Sequence, residues 1–418
     1  MKKYLLPIAL LRMATATHAQ SRADYNAAVS KFQTFYNANQ KDSIFNQFSD
    51  RIKLLMPADK TAQMMAQLST RLGAMGSYEF TKEEPPLSYY KTTFKNGTVS
   101  LILSLSKDNK FESFRFVPYE VDAGPNEKSN FTYAAPTGSV YGSLTMPVTD
   151  NKVPVVLVIA GSGPTDRNGN QAQMKSNAYK LIADSLLKAG IACLRYDKRG
   201  IGESVAAAKS EESTRFDDMA DDAAGIIKML KGDSRFSKVY VLGHSEGSLV
   251  GMIAAKKEPV SGFISLAGAG QRADKIIEQQ LATQSKEGAA VARVIMDSLV
   301  KGYKVRNVDT ALMMLFRPSV QPYLTSWFTH DPQAEINKVA APILILQGTT
   351  DIQVAVSEAE MLKKANPKAT LKLVRGMNHV LKQAPADREQ NVATYNNAAL
   401  PLSAGLMEAI LKFINATK

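Results

Sequence analysis

The sequence predicts an α/β fold, a doubly wound and mostly parallel sheet with a helical insertion, preceded by a small α+β domain. Three observations carry this expectation. The chain has 418 residues, more than the roughly 250 to 300 at which single hydrophobic cores stop growing, so two folded units are expected. Up to about residue 120, helical periodicities are followed by alternating, aromatic-rich runs. Beyond it, short and nearly continuous apolar runs alternate with helical patterns, as buried parallel strands and their crossover helices do.

At the N-terminus, Lys2 and Lys3 precede the apolar stretch Tyr4 to Leu11, and Thr17 and Ala19 meet the small-x-small rule for cleavage after Ala19. Residues 1–19 therefore read as a secretory signal peptide, and the mature protein as exported, periplasmic or secreted. Later runs fall short of the roughly 18 to 20 apolar residues that span a bilayer, so no integral membrane segment is expected. The net charge of +12 is spread along the chain and mixed with acidic residues, which gives a basic surface without a nucleic-acid-binding stripe. The one cysteine, Cys193, lies in an apolar run and reads as a buried strand residue. With His18 in the leader, too few thiols and imidazoles remain for a zinc-type ligand spacing, and neither metal nor cofactor is implied.

Residues 20–120 form the first unit. Apolar residues recur at helical spacing over Arg22 to Asn39 and Ala58 to Leu72, with Pro57 placed where a helix can begin. The runs Tyr78 to Thr81, Leu87 to Phe94, Val99 to Ser106 and Phe111 to Pro118 alternate and are separated by the turn signals Asn96-Gly97 and Asp108-Asn109, which predicts an antiparallel meander. Residues 121–130, with Gly124-Pro125, read as a linker.

Residues 131–418 form the second unit. Its expected strands are Pro154 to Ala160, Gly190 to Tyr196, Val239 to Gly243, Gly262 to Ala267, Pro342 to Gly348 and Thr370 to Val374. Its expected helices are Ser176 to Lys188, Phe216 to Lys231, Ser248 to Lys256, Ser357 to Lys364 and Leu402 to Asn415. The segment 271–333 interrupts this alternation with a helical period rich in Met and aromatic residues, placed where a cap over a pocket would sit.

The chemistry gathers at Gly243-His-Ser245-Glu-Gly247, which follows a strand and opens a helix. In that context Gly-x-Ser-x-Gly is a sharp turn that presents the serine hydroxyl at the edge of the sheet. A serine hydroxyl needs a base oriented by a carboxylate before it attacks a carbonyl. His244 is the neighbour of Ser245 and points elsewhere, and His330 lies in the cap, whereas His379 follows the last strand. Asp351, in the turn after the strand that ends at Gly348, is the orienting acid in the chain order Ser, acid, His. The oxyanion donors are expected to be the backbone amides of Glu246 and of Ser162, the latter in Gly161-Ser162-Gly163-Pro164.

With these residues in place, the chain from about Phe131 onward resembles an α/β-hydrolase of the bacterial esterase and serine-aminopeptidase-like branch. Gly-Ser-Gly-Pro-Thr-Asp-Arg-Asn-Gly-Asn at 161–170 and Asp197-Lys-Arg-Gly-Ile-Gly-Glu-Ser204 resemble two loops of that branch. Ala160 departs from it, since many relatives place a histidine there. The first unit is similar to the small α+β domains of unknown function that precede hydrolase domains in some bacterial exported proteins, a cone-like, nuclear-transport-factor-type fold being one candidate. The resemblance implies a carboxylesterase acting on a small-molecule ester through an acyl-enzyme, without cofactor. An aminopeptidase or amidase and a thioesterase share the same triad, and an exported binding protein with an idle hydrolase domain is the non-enzymatic alternative.

Overall fold

The computed structural model describes residues 20–84, 86–118, 128–171, 174–283, 285–309 and 312–417. The expected signal peptide, and residues 121–127 of the expected linker, lie outside the described residues. The chain divides into two compact units, residues 1–124 and 125–418.

The first unit opens with α1 (Arg22–Asn37), α2 (Lys41–Asn46), α3 (Asp50–Leu55) and α4 (Ala58–Leu72), followed by β1 (Met75–Glu84), β2 (Leu87–Phe94), β3 (Gly97–Leu105) and β4 (Phe111–Pro118). The α1 start is fixed by a capping box in which Ser21 and Asp24 satisfy each other's backbone amides. Pro57 stands just before α4 as its N-cap. The four strands pair antiparallel in sequence order, the β2–β3 hairpin turning through Lys95-Asn96 and the next loop through Asn109 at φ 55°. Phe32 of α1 packs on Phe114 and Phe116 of β4 with ring centroids 4.9 and 5.7 Å apart. These rings, with Tyr36, Phe48 and Phe94, are the core of the unit.

The second unit runs β5 (Phe131–Ala135), β6 (Gly138–Thr145), β7 (Val153–Ile159), α5 (Ala178–Lys188), β8 (Ala192–Tyr196), a 3-10 turn (Gly202–Ala207), α6 (Phe216–Gly232), β9 (Phe236–His244), α7 (Glu246–Lys257) and β10 (Gly262–Leu266). Then come the five helices of the insertion, α8 (Ala273–Ala282), α9 (Lys286–Val300), α10 (Met313–Phe316), α11 (Gln321–Trp327) and α12 (Pro332–Ile336). The chain closes with β11 (Ile343–Gly348), α13 (Val356–Ala365), β12 (Thr370–Val374), α14 (Arg388–Ala393) and α15 (Leu406–Ala416).

The sheet order is β12-β11-β10-β9-β7-β8-β6-β5, parallel from β12 through β8, with β6 and β5 added antiparallel. Alternate residues of each central strand face opposite layers, so Val155, Leu157 and Ile159 pack with α6, α7 and α13, while Val156 and Val158 pack with α5 and α15. Each such fully buried aliphatic side chain stabilises the fold by ~1.5–3 kcal/mol.

Two strand expectations are revised. The pair β5–β6 adds two strands beyond those expected, because small and polar residues break any continuous apolar run in both. Thr370 to Val374, expected to be a fully buried strand, is the sheet edge, with Thr370, Lys372 and Leu373 exposed and Val374 buried. The parallel strands end together at the loops that carry residues 161–170, Ser245, Ala267 and Asp351.

Candidate active site

Ser245 occupies the one-residue turn between β9 and α7 at φ 55° and ψ −123°, a conformation that costs a non-glycine residue about 1–3 kcal/mol. The flanking glycines make the turn possible. A Cβ on Gly243 would lie 2.1 Å from the Gly247 carbonyl oxygen, and one on Gly247 would lie 2.3 Å from that of Ile159. Both are backbone clashes that a side chain cannot relieve.

His379, in the loop after β12, places its Nε2 3.1 Å from Ser245 Oγ and its Nδ1 2.8 Å from Asp351 Oδ2. The other carboxylate oxygen of Asp351 accepts the backbone N–H groups of Gln353 and Val354 at 2.8 and 3.0 Å, and Gln347 Nε2 donates to Oδ2 at 3.2 Å. Burial alone would raise the Asp351 carboxyl, but the His379 ring and the two backbone donors outweigh it and hold the group below its ordinary 3.8. One carboxylate thus closes the turn before α13 and orients the imidazole. Ser245, His379 and Asp351 stand in the hydrogen-bonded line that a proton transfer from the serine hydroxyl requires.

The other histidines have separate partners. His244 Nε2 meets the His379 carbonyl oxygen at 2.9 Å, and its Nδ1 meets the Tyr179 hydroxyl at 2.8 Å. Because a carbonyl only accepts, His244 carries its proton on Nε2 and accepts from Tyr179 on Nδ1. Tyr179 in turn accepts the Gly161 N–H at 3.2 Å. Burial, followed by the His379 ring, pushes the His244 pKa down to about 3, which keeps its ring neutral. His330 bonds to Asp217 at 2.9 Å, tilts against Phe216, and does not line the cavity above Ser245.

Ser162 and Glu246 both line that cavity. Glu246 is the first residue of α7, so its N–H has no partner within the helix. The 161–170 loop lies against the serine, since a Cβ on Gly161 would be 3.1 Å from Ser245 Cβ. Three internal bonds shape this loop, from Thr165 Oγ1 to the Ser162 carbonyl at 2.9 Å and from the Asn168 and Asn170 amides to Asp166 at 2.8 and 2.9 Å. The loop is tied to the 197–204 loop by Arg167, whose Nε and Nη2 donate to Asp197 at 3.1 and 2.6 Å, and Nη2 also meets Glu203 at 2.9 Å. The two quoted motifs are therefore one cross-braced structure.

The cavity has a volume of about 720 Å³, within the usual range for a small-molecule site. Its roof comes from the insertion, with Ile276, Leu315, Phe316, Tyr323, Leu324 and Trp327, and Leu249, Val354 and Val380 line it from below. Trp327 stacks on Phe216 of α6 at 5.7 Å and 4°. The Tyr323 hydroxyl lies near the Glu246 carboxylate, and burial followed by that carboxylate raises its pKa well above 10. Among the described residues no group of three His, Cys, Asp or Glu is placed to hold a metal ion. No helix of the described residues is long and apolar enough to cross a membrane. Cys193 is buried in β8.

The residues that the motif reading did not single out are Lys198, Tyr179, Tyr323 and Gln347. Lys198 lies inside the Asp197 to Ser204 motif, between an acidic and a basic residue. The others act across long sequence separations and leave no local pattern.

Residues 172–383, just over half of the chain, match the family described as serine aminopeptidase, S33, a branch of the α/β-hydrolases. The chain belongs to this family. The matched segment holds Ser245, Asp351 and His379, while Ser162 lies before it. This S33 member is also 24% identical over 356 residues to Esterase EstD of Thermotoga maritima, covering 81% of the chain and 84% of that relative. Similar solved structures include Est1E from Butyrivibrio proteoclasticus with ferulic acid bound, at 18% identity and a TM-score of 0.45, over 67% of the present chain and 95% of the other. Another is a thermophilic esterase from Thermogutta terrifontis, at 17% identity and a TM-score of 0.42, over 69% and 98% of the respective chains. The second unit is an α/β-hydrolase and the protein a serine hydrolase.

Proposed function

We propose that this S33 family member is a carboxylesterase that cleaves esters of uncharged, apolar acyl groups through Ser245. His379 Nε2, 3.1 Å from Ser245 Oγ, takes the hydroxyl proton as Oγ attacks the ester carbonyl. Asp351 holds the resulting imidazolium through Nδ1 at 2.8 Å. The tetrahedral oxygen rests on the Ser162 and Glu246 amides, and His379 returns the proton to the departing alkoxide. Water then repeats the sequence on the acyl-enzyme and releases the acid.

One observation carries the choice of ester over aminoacyl amide. An aminopeptidase must hold the substrate ammonium, yet Glu246 is the single carboxylate among the described lining residues. It is already engaged by Lys198 Nζ at 3.5 Å. The rest of the lining is apolar or carries hydroxyl, amide or imidazole groups, apart from Arg317. EstD, a relative over most of the chain, carries the name of an esterase, which supports the same reading.

The test compares wild type and Ser245→Ala on p-nitrophenyl butyrate and on aminoacyl p-nitroanilides. Wild type should turn over the ester faster than any anilide, and Ser245→Ala should lose both activities. Full ester hydrolysis by Ser245→Ala would remove the assignment, and a preference for the anilides would replace it with an aminopeptidase. Export after cleavage at Ala19 is part of the proposal, supported by the charged, apolar and small-residue order of residues 2–19. Mass measurement of the cell-envelope form should find Gln20 as its first residue, and an intact Met1 in that form would overturn it.

A further inference from the structure

Lys198 has no part in the proton transfers above, yet it is buried against Gly161 and Glu246, the neighbours in sequence of Ser162 and Ser245. Its Nζ donates to the Gly161 carbonyl oxygen at 2.5 Å and lies 3.5 Å from Glu246 Oε1. The side chains of Lys198 and Glu246 are 5% and 2% exposed, so this cation is withdrawn from water and its shorter contact is to the carbonyl.

The Gly161 carbonyl and the Ser162 N–H belong to one peptide unit. In a trans peptide the two groups point in opposite directions. A cation fixed on the carbonyl side therefore turns the N–H away from itself. It also draws electron density through the amide, which strengthens the N–H as a donor, since hydrogen bonds in a chain polarise one another. We propose that Lys198 is a positioning residue of the oxyanion hole, whose ammonium orients and polarises the Gly161–Ser162 peptide so that the Ser162 N–H receives the negative oxygen of the tetrahedral intermediate. The inference rests on Ser245 as nucleophile.

The surroundings fit a device that must not move. The neighbours of Lys198 on both sides are anchored, Asp197 by the Arg167 guanidinium and Arg199 by a two-pronged contact with Asp222 at 2.7 and 2.6 Å. Gly161 is held at its other end by the Tyr179 hydroxyl at 3.2 Å. Glu246, whose own amide is the second donor, balances the lysine charge, so the net field on the site is that of an oriented pair. The same ammonium thus bridges the two strand-end loops that supply the two donors. A lysine needed only for a buried ion pair would place its closest contact on the carboxylate, and here that contact is on the carbonyl.

The experiment measures Lys198→Met, Lys198→Gln and Lys198→Arg with p-nitrophenyl butyrate. It reads kcat, KM, the fraction of sites labelled by a fluorophosphonate, and the inhibition constant of an alkyl trifluoromethyl ketone, which forms a tetrahedral adduct on the serine. Loss of one oxyanion donor costs about 10²- to 10³-fold in rate, so loss of its alignment should lower kcat of Lys198→Met by roughly 10- to 100-fold per labelled site. KM should stay nearly constant, and the ketone should weaken in proportion to kcat/KM. Lys198→Arg should recover most of the rate, with Lys198→Gln, a neutral donor, between the two. If Lys198→Met does not fold, the Gln and Arg variants decide the matter. Unchanged kcat per labelled site in Met or Gln variants, with only the labelled fraction or the melting temperature reduced, would reduce Lys198 to a structural ion pair. If Ser245→Ala is inactive in the same assays, that result leaves the nucleophile standing and removes only the role of Lys198. If Ser245→Ala is active, both readings fall together.

Discussion

Replacing Asp351 by Asn probes the site through a single atom exchange whose outcome the local hydrogen bonds dictate. Asp351 Oδ1 accepts two backbone N–H groups, from Gln353 and Val354, at 2.8 and 3.0 Å. The Asn carbonyl must occupy that position, because an NH₂ there would face two fixed donors. Its NH₂ then falls where Oδ2 was, facing His379 Nδ1 at 2.8 Å and Gln347 Nε2 at 3.2 Å. To accept from it, the imidazole moves its proton to Nε2, which points that proton at Ser245 Oγ and removes the base. A wrong tautomer in a Ser-His-Asp site costs about 10⁴-fold in kcat, or ~5.5 kcal/mol. The lost Gln347 contact costs stability only ~1 kcal/mol, so the variant should still fold. The assay is kcat and KM on p-nitrophenyl butyrate at neutral pH, with the melting temperature measured beside it. A folded Asp351→Asn enzyme within tenfold of wild type would refute the reasoning.

Other outcomes follow from the same geometry. Ser245→Gly should be inactive yet melt higher than inactive Ser245→Ala, by a difference on the order of 1 kcal/mol, because glycine relieves the positive φ; equal melting temperatures would show the turn to be unstrained. His244 has a folded pKa near 3 against an ordinary 6.5, so the unfolded chain binds the extra proton first and stability should fall as pH drops from 6.5 toward 3. Urea titrations at neutral and mildly acidic pH should show that slope in wild type and less of it in His244→Gln; the same slope in both would remove His244 as its source. Tyr323→Phe removes the hydroxyl that the insertion sets near the Glu246 carboxylate and should lower kcat/KM by an amount worth ~1 kcal/mol, while an unchanged value would mean that this hydroxyl does not hold the roof. Gly243→Ala sets a Cβ against the Gly247 carbonyl and should abolish soluble, active protein, and full activity would contradict the close approach.

Ser245, Asp351 and His379 were legible in the sequence because each sits in a local pattern, a tight turn after an apolar run, and because their order along the chain is distinctive. The central strands were legible for a similar reason. Burial on both faces demands nearly continuous apolar residues, and β7, the Val239 to Gly243 stretch of β9, β10 and β11 follow that demand. β5 and β6 mix small and polar residues with apolar ones and so carry no continuous apolar run, while the edge strand β12 has an apolar composition that reads as core although most of it is exposed.

What the sequence by itself determined is therefore the part encoded in neighbouring residues: the two-unit division, the α/β alternation, the Gly243 to Gly247 turn and the ordered triad. Tertiary structure alone decided which polar groups meet across the sheet ends. Lys198 reaches Gly161 over 37 residues, Tyr179 reaches His244 over 65, and His244 reaches the His379 carbonyl over 135. A single polar contact imposes no periodicity on the chain. It becomes visible only when the parallel strands bring their C-terminal loops to one edge and exclude the water that would otherwise satisfy each group.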